Sequence, residues 1–258
     1  MIVISERING LFRSVGKAVD KRDAAFVQDL ARKQVACGAS ILDINTGPGR
    51  DDAEEVMRWM VETVQDAVGA QLSIDAPKPK VIEAGIKAAK DRVLINSTTA
   101  EMAKMESLFP LAKEYGSDII CLCLNEQGIP NDAASRCEMA MVMLTKAMEY
   151  DIGTERIFLD PLAMPVGAAQ DQGPKVLEAL TMFKQLSSPP PKTTVGLSNV
   201  SNNTTQRPIL NRTYLVMMMA HGLDSAIMDP MDPELIAAAK TADILMNRKL
   251  YAHDFLKV

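Results

Sequence analysis

The chain has 258 residues, 47% of them hydrophobic and 24% charged, which is the balance of a folded globular protein and not of a disordered or collagen-like one. Its 28 basic and 33 acidic side chains leave a net charge of −5, so no polybasic surface for nucleic acid is expected. The longest unbroken apolar runs, such as 214–220, fall far short of the about 20 residues a bilayer span needs, and the first ten residues carry Glu6 and Arg7 in place of a leader's basic and apolar regions. No membrane partner and a cytoplasmic location are the expectations.

From the amino end onward, short β-branched or apolar runs alternate with longer stretches of helical spacing. Strands are predicted over 2–4, 40–44, 72–74, 93–95, 118–124, 156–159, 193–197 and 225–228. Helices are predicted between them, over 23–37, 52–68, 79–90, 100–115, 132–150, 174–186, 209–221 and 233–246. Gly38, Gly116 and Gly222 each stand directly after a predicted helix as stop signals. The stretch richest in Ser and Pro, 187–191, fits a turn between the sixth helix and the seventh strand. Eight βα units without a break predict an α/β fold, a single (β/α)8 TIM barrel spanning 1–258 as one domain.

In such a barrel the working groups sit at the carboxyl ends of the strands. Those ends read Ser5-Glu6-Arg7-Ile8-Asn9, Asp43-Ile44-Asn45, Asp75, Asn96, Asn125, Asp160, Ser198-Asn199 and Asp229. Asp, Asn and Ser also start turns and cap helices, but an acid or amide after every strand is more than turns require. No lysine ends a strand, which weighs against Schiff-base chemistry, and no histidine does, which weighs against most general-base and metal-hydrolase barrels. The seventh strand is followed by Val200-Ser201-Asn202-Asn203, with no Gly-rich phosphate loop. A mouth of acids and amides suits a neutral heterocycle with N–H donors and carbonyl or ring-nitrogen acceptors. A carboxylate meets an amino-pyrimidinone edge through two parallel hydrogen bonds, and pterins have that edge.

The cysteines Cys37, Cys121, Cys123 and Cys137 form no CxxC pair, and His221 and His253 lie far from them in sequence, so free thiols and no metal site are predicted. The 17 methionines, among them Met217 to Met219 and Met139, Met141 and Met143, are read as pliable core filler.

The strand-end segments resemble those of the methyltetrahydrofolate:corrinoid protein methyltransferases, relatives of the folate domain of cobalamin-dependent methionine synthase and, more remotely, of dihydropteroate synthase. The likeness rests on Glu6-Arg7-Ile8-Asn9-Gly10, Leu42-Asp43-Ile44-Asn45, Ile74-Asp75, Ile95-Asn96-Ser97-Thr98, Asp160-Pro161-Leu162 and Gly196-Leu197-Ser198-Asn199-Val200-Ser201. The resemblance implies that Asp75, Asn96 and Asp160 hold a pterin ring and that Asn199 is the catalytic residue, reaching N5, with Asn202 and Arg207 nearby. Glu6, Asp43 and Asn45 are then supporting or rim residues. It also implies methyl transfer between (methyl)tetrahydrofolate, as substrate, and a corrinoid (cobalamin) carried by a separate corrinoid protein, with a homodimer as the assembly. Neither histidine lies in an Asp-x-His-x-x-Gly loop of the kind that holds a corrinoid. Two alternatives remain. A dihydropteroate synthase-like enzyme needs lysine and glycines after the sixth strand, where Pro161-Leu162-Ala163-Met164-Pro165 stand, and a non-catalytic folate-binding barrel needs no Asn199.

Overall fold

The structure, a computed structural model, describes residues 1–252. His253, one of the two histidines set aside as metal ligands above, lies outside the described residues.

The eight strands are β1 (Ile2–Asn9), β2 (Ile41–Asn45), β3 (Gln71–Asp75), β4 (Leu94–Thr99), β5 (Asp118–Leu122), β6 (Ile157–Asp160), β7 (Lys192–Thr193) and β8 (Ser225–Met228). They run parallel in the order β7-β6-β5-β4-β3-β2-β1-β8. The ring meets itself between β7 and β8 through one bridge, Gly196 with Ile227, where the Ile227 N–H donates to the Val195 carbonyl at 2.8 Å. The expected barrel is therefore present, with a thin seam.

Nine helices surround it among the described residues: α1 (Arg13–Asp20), α2 (Ala24–Ala36), α3 (Ala53–Gln65), α4 (Pro79–Ala88), α5 (Met102–Glu114), α6 (Ala133–Glu149), α7 (Gln172–Phe183), α8 (Arg207–Ala220) and α9 (Pro233–Leu245). Eight answer to the predicted helices and α1 is additional. Eight residues with a glycine inside give a weak helical signal, yet Val15, Ala18 and Val19 bury one face. Gly38, Gly116 and Gly222 all take the left-handed conformation that ends a helix, with φ of +101°, +64° and +102°. Asp23, Asp132 and Asp232 cap α2, α6 and α9 by accepting backbone N–H bonds, each worth about 1 kcal/mol.

Two strand ends differ from expectation. The predicted strand 193–197 is laddered only over Lys192–Thr193, and Leu197–Ser201 winds into a short 3-10 turn. Beyond Thr193 the ladder on the β8 side is reduced to the one bridge, so the chain is free to curl. The predicted strand 118–124 stops at Leu122 because Asn125 and Gly128 pair across a tight turn.

Period-two alternation places the site. Ile4, Ile41, Leu94, Ile120 and Phe158 form an apolar layer inside the barrel. Two residues further along the same strands stand Glu6, Asp43, Asn96, Leu122 and Asp160. The polar mouth is thus the next inward layer, lying directly on an apolar floor. The outer layer, where strands meet helices, holds the larger core, including Met57, Met60, Phe109 and Phe183.

Candidate active site

The mouth has two polar clusters with Asp160 between them. On β2, β3 and β4, Asp43 is buried at 4% exposure and accepts from Ser73 Oγ at 2.6 Å and from Asn96 Nδ2 at 3.0 Å, both on the same oxygen. Beside it Asn45 Nδ2 donates to Asp75 Oδ2 at 2.7 Å, while Asn45 Oδ1 accepts the Gly47 N–H at 2.7 Å. The other Asp75 oxygen has no hydrogen-bond partner among the described residues. Asp43 and Asn45 therefore hold the Asn96 and Asp75 side chains in place by hydrogen bonds.

On β1 and the loop after β7, Glu6 accepts from Ser198 Oγ at 2.7 Å, and Arg7 lies 3.5 Å from Asp229 with its guanidinium over the Phe12 ring. Arg207, at the start of α8, donates to Asn202 Oδ1 and to the Ser198 carbonyl at 3.4 Å each. A cavity of about 570 Å³ opens here, lined by Glu6, Arg7, Ser198, Asn202, Arg207 and Asp229 among others. Asn199 is exposed beside it, and its amide has no hydrogen-bond partner among the described residues. A Cβ on Gly196 would come within 2.9 Å of Asn199 Nδ2, so the glycine leaves room for that side chain.

Asp160, 3% exposed at the end of β6, accepts the Leu162 N–H at 2.7 Å, and Leu162 takes a left-handed φ of +66° in the turn that results. Burial is the main cause of a carboxyl pushed up to about 7, opposed by backbone N–H bonds from Leu162 and Gly196 and by the nearby Arg136 charge. Asp43 is pushed well above the usual carboxylate range by burial and by the charge of Asp75; burial also raises Asp75 and Glu6. An acceptor-rich mouth with elevated carboxyls is chemically suited to a ligand that brings N–H donors and excludes water.

Five strand-end residues also build turns. Asn9, Asn45, Asn125, Asp160 and Asp229 each accept the backbone N–H two residues on, at 2.7 to 3.0 Å. Turn-making and site-lining are thus combined in the same side chains.

Residues missed in the sequence reading are Ser73, Arg136 and Gln172. Ser73 lies two residues before Asp75 and so on the same inward face. Arg136 falls on the buried stripe of α6 with Ala133, Cys137, Ala140, Met143, Leu144 and Ala147, and a lone arginine on an apolar stripe is a visible signal. It is completely buried. The thiols of Cys121, Cys123 and Cys137 are buried and free, and burial raises all three, Cys137 to about 11. The methionines divide: Met143, Met218 and Met219 are buried, whereas Met141 and Met217 are exposed.

The fold and site define a closed parallel (β/α)8 barrel with carboxylates and amides at the carboxyl ends of its strands. The chain belongs to the pterin binding enzyme family, whose model matches residues 12–229. It is 29% identical over 259 residues to the methylcorrinoid:tetrahydrofolate methyltransferase of Eubacterium limosum, covering 100% of this chain and 95% of that protein. It is 26% identical over 241 residues to methionine synthase of Mycobacterium tuberculosis, of which it spans 20%, with 88% of this chain aligned. Among solved structures, dihydropteroate synthase of Yersinia pestis superposes with a TM-score of 0.68 at 17% identity over 95% of this chain and 94% of that one. The Thermus thermophilus synthase gives 0.66 at 18% identity over 87% and 88% of the two chains. At those identities the structural likeness speaks to the fold alone.

Proposed function

We propose that this protein is a methyltransferase of the EC 2.1.1 class that moves a methyl group between N5 of (methyl)tetrahydrofolate and the cobalt of a corrinoid held by a second protein. The observation that carries it is the pairing of Asp75, Asn96 and Asp160 at the ends of β3, β4 and β6 with an unpaired amide, Asn199, after β7. Full-length similarity to a methylcorrinoid:tetrahydrofolate methyltransferase supports it.

The residues present fit a pterin. Asp75 and Asp160 offer carboxylate oxygens to the amino-pyrimidinone edge, and Asn96, fixed by Asp43, supplies an amide. The elevated carboxyl groups gain from a ligand whose N–H donors replace water. Asn199 presents a donor or an acceptor by rotating its amide, so one side chain follows N5 as that nitrogen changes its hydrogen-bonding character. An amide is not itself an acid, so the proton at N5 comes from solvent, directly or through a water held by neighbouring polar groups. The corrinoid supplies a cobalt centre that accepts or gives up the methyl group. Among the described residues no histidine lines the mouth: His221 ends α8 on the opposite face, 3.0 Å from Thr181 Oγ1. The reading places the corrinoid on a partner protein, in line with the name of the methylcorrinoid:tetrahydrofolate methyltransferase it resembles, and carries with it a cytoplasmic location and a homodimer.

The dihydropteroate synthase alternative is less well supported, because the five residues directly after Asp160, 161–165, include neither lysine nor glycine to meet a pyrophosphate. The test is an anaerobic absorbance assay with methyltetrahydrofolate and reduced cobalamin, run also in reverse. Protein-dependent interconversion of the cob(I) and methyl-cobalt spectra is expected, reduced by about 10²- to 10³-fold in Asn199→Ala with tetrahydrofolate affinity kept. An Asn199→Ala variant as active as a surface variant overturns the role of Asn199. Folate binding without conversion, in the presence of a corrinoid protein, leaves a binding barrel.

A further inference from the structure

Arg136 reaches the pterin mouth from outside the barrel wall. It is completely buried between α6 and the chain that follows β6, and its hydrogen-bond partners are all neutral: Nε donates to the Pro161 carbonyl at 2.8 Å, Nη2 to Gln172 Oε1 at 2.9 Å, and Nη1 to the Asp132 carbonyl at 3.4 Å. A buried guanidinium with no carboxylate on it is costly and needs a reason. The reason lies in one peptide unit. The carbonyl of Pro161 and the N–H of Leu162 belong to the same amide; Arg136 holds its oxygen, and its N–H donates to Asp160 Oδ1 at 2.7 Å. A cation on the oxygen of an amide draws electron density from its nitrogen and strengthens the N–H as a donor, so hydrogen bonds in series reinforce one another.

We propose that Arg136 is a positioning residue for the pterin site, which orients Asp160 and favours its ionised form through the Pro161–Leu162 peptide rather than by direct contact. The proposal rests on the pterin-binding role given to Asp160 above. The titratable groups facing Arg136, besides Asp160 itself, are Asp132 at the N-cap of α6, the Cys123 thiol and the Tyr214 hydroxyl on α8, and Cys123 also faces Asp160. Of these neighbours Arg136 is the one that opposes burial at Asp160 with positive charge. Gln172 keeps the guanidinium in place from α7, itself 7% exposed.

The test reads the Asp160 carboxyl directly, by carbon-13 NMR of aspartate-labelled protein, with Asp160→Asn assigning the signal. In Arg136→Met the titration midpoint is expected to move up from about 7 by about one unit, and in Arg136→Lys to return most of the way. Gln172→Met, which loosens the arginine but keeps its charge, is expected to move the midpoint the same way by less, and it serves if Arg136→Met does not fold. The pH at which tetrahydrofolate affinity falls, read by calorimetry, is expected to follow the midpoint. An unmoved carboxyl midpoint in the folded variants overturns the proposal whatever happens to methyl transfer. A midpoint that moves while tetrahydrofolate affinity does not follow it overturns the pterin role of Asp160 and leaves the link from Arg136 to Asp160 standing.

Discussion

Asp160 carries a stability cost at neutral pH. Its folded carboxyl is raised from the ordinary 3.8 to about 7, so the stabilising contribution is complete below about pH 4 and is lost as pH rises through about 7. Asp160→Asn, which resembles the protonated form, is expected to be more stable than the parent at pH 8 by up to about 4 kcal/mol, with the gap closing toward pH 4. Thermal melts at the two pH values check this, and an equal gap at both would refute it. Asp75 has a different task. With one oxygen unpartnered among the described residues, Asp75→Ala is expected to weaken tetrahydrofolate binding by about 1.5 to 3 kcal/mol, the worth of a charge-assisted hydrogen bond, as read by calorimetry. Unchanged affinity removes Asp75 from the pterin contacts. At this scale much of the proposed site was legible, because an acid or amide after every strand stands out in the sequence. Turn-making and site-lining had looked like competing explanations for these residues; Asn45 shows that they are not, with one amide atom closing a turn and the other gripping Asp75. Arg136 was marked in the sequence as a lone arginine on the apolar stripe of α6, but its contact with the Pro161 carbonyl was not, because peptide geometry leaves no mark on composition or spacing.

Elements meet most tightly where the loops after β1 and β2 cross. A Cβ on Gly10 would lie 2.4 Å from the Thr46 carbonyl oxygen and 2.7 Å from the Gly47 nitrogen, and both are backbone atoms that cannot swing aside. Gly10→Ala is therefore expected to lower the melting temperature by about 2 to 8 °C and to weaken tetrahydrofolate binding, because Gly47 is the residue that Asn45 holds. Unchanged melting and affinity would mean that the two loops part without consequence. The order and type of the elements were legible from periodicity: eight strands and eight of the nine helices fall where the apolar pattern predicts. The departures have local causes. Helix α1 is too short, and interrupted by Gly16, to announce itself. The end of β7 was misjudged because Val195 and Leu197 look like strand residues whether or not a neighbouring strand ladders with them, and only tertiary structure decides that.

Across the whole molecule the barrel is a vessel with one opening. The layer of Ile4, Ile41, Leu94, Ile120 and Phe158 closes it across the middle, Lys192 sits 4.8 Å from the Phe158 ring, and further toward the amino ends Gln71 donates to Asp118, which Arg92 also meets. Anything bound above that floor enters and leaves through the mouth. If a pterin lies in the mouth and a second protein delivers a reacting group to it, both use the same doorway, and the larger visitor shuts in the smaller. The kinetics should then be compulsory-order, with folate first on and last off. Product-inhibition patterns that are competitive between folate species, and mixed between folate and the corrinoid protein, are expected; a random-order pattern would require an exit that the floor does not provide.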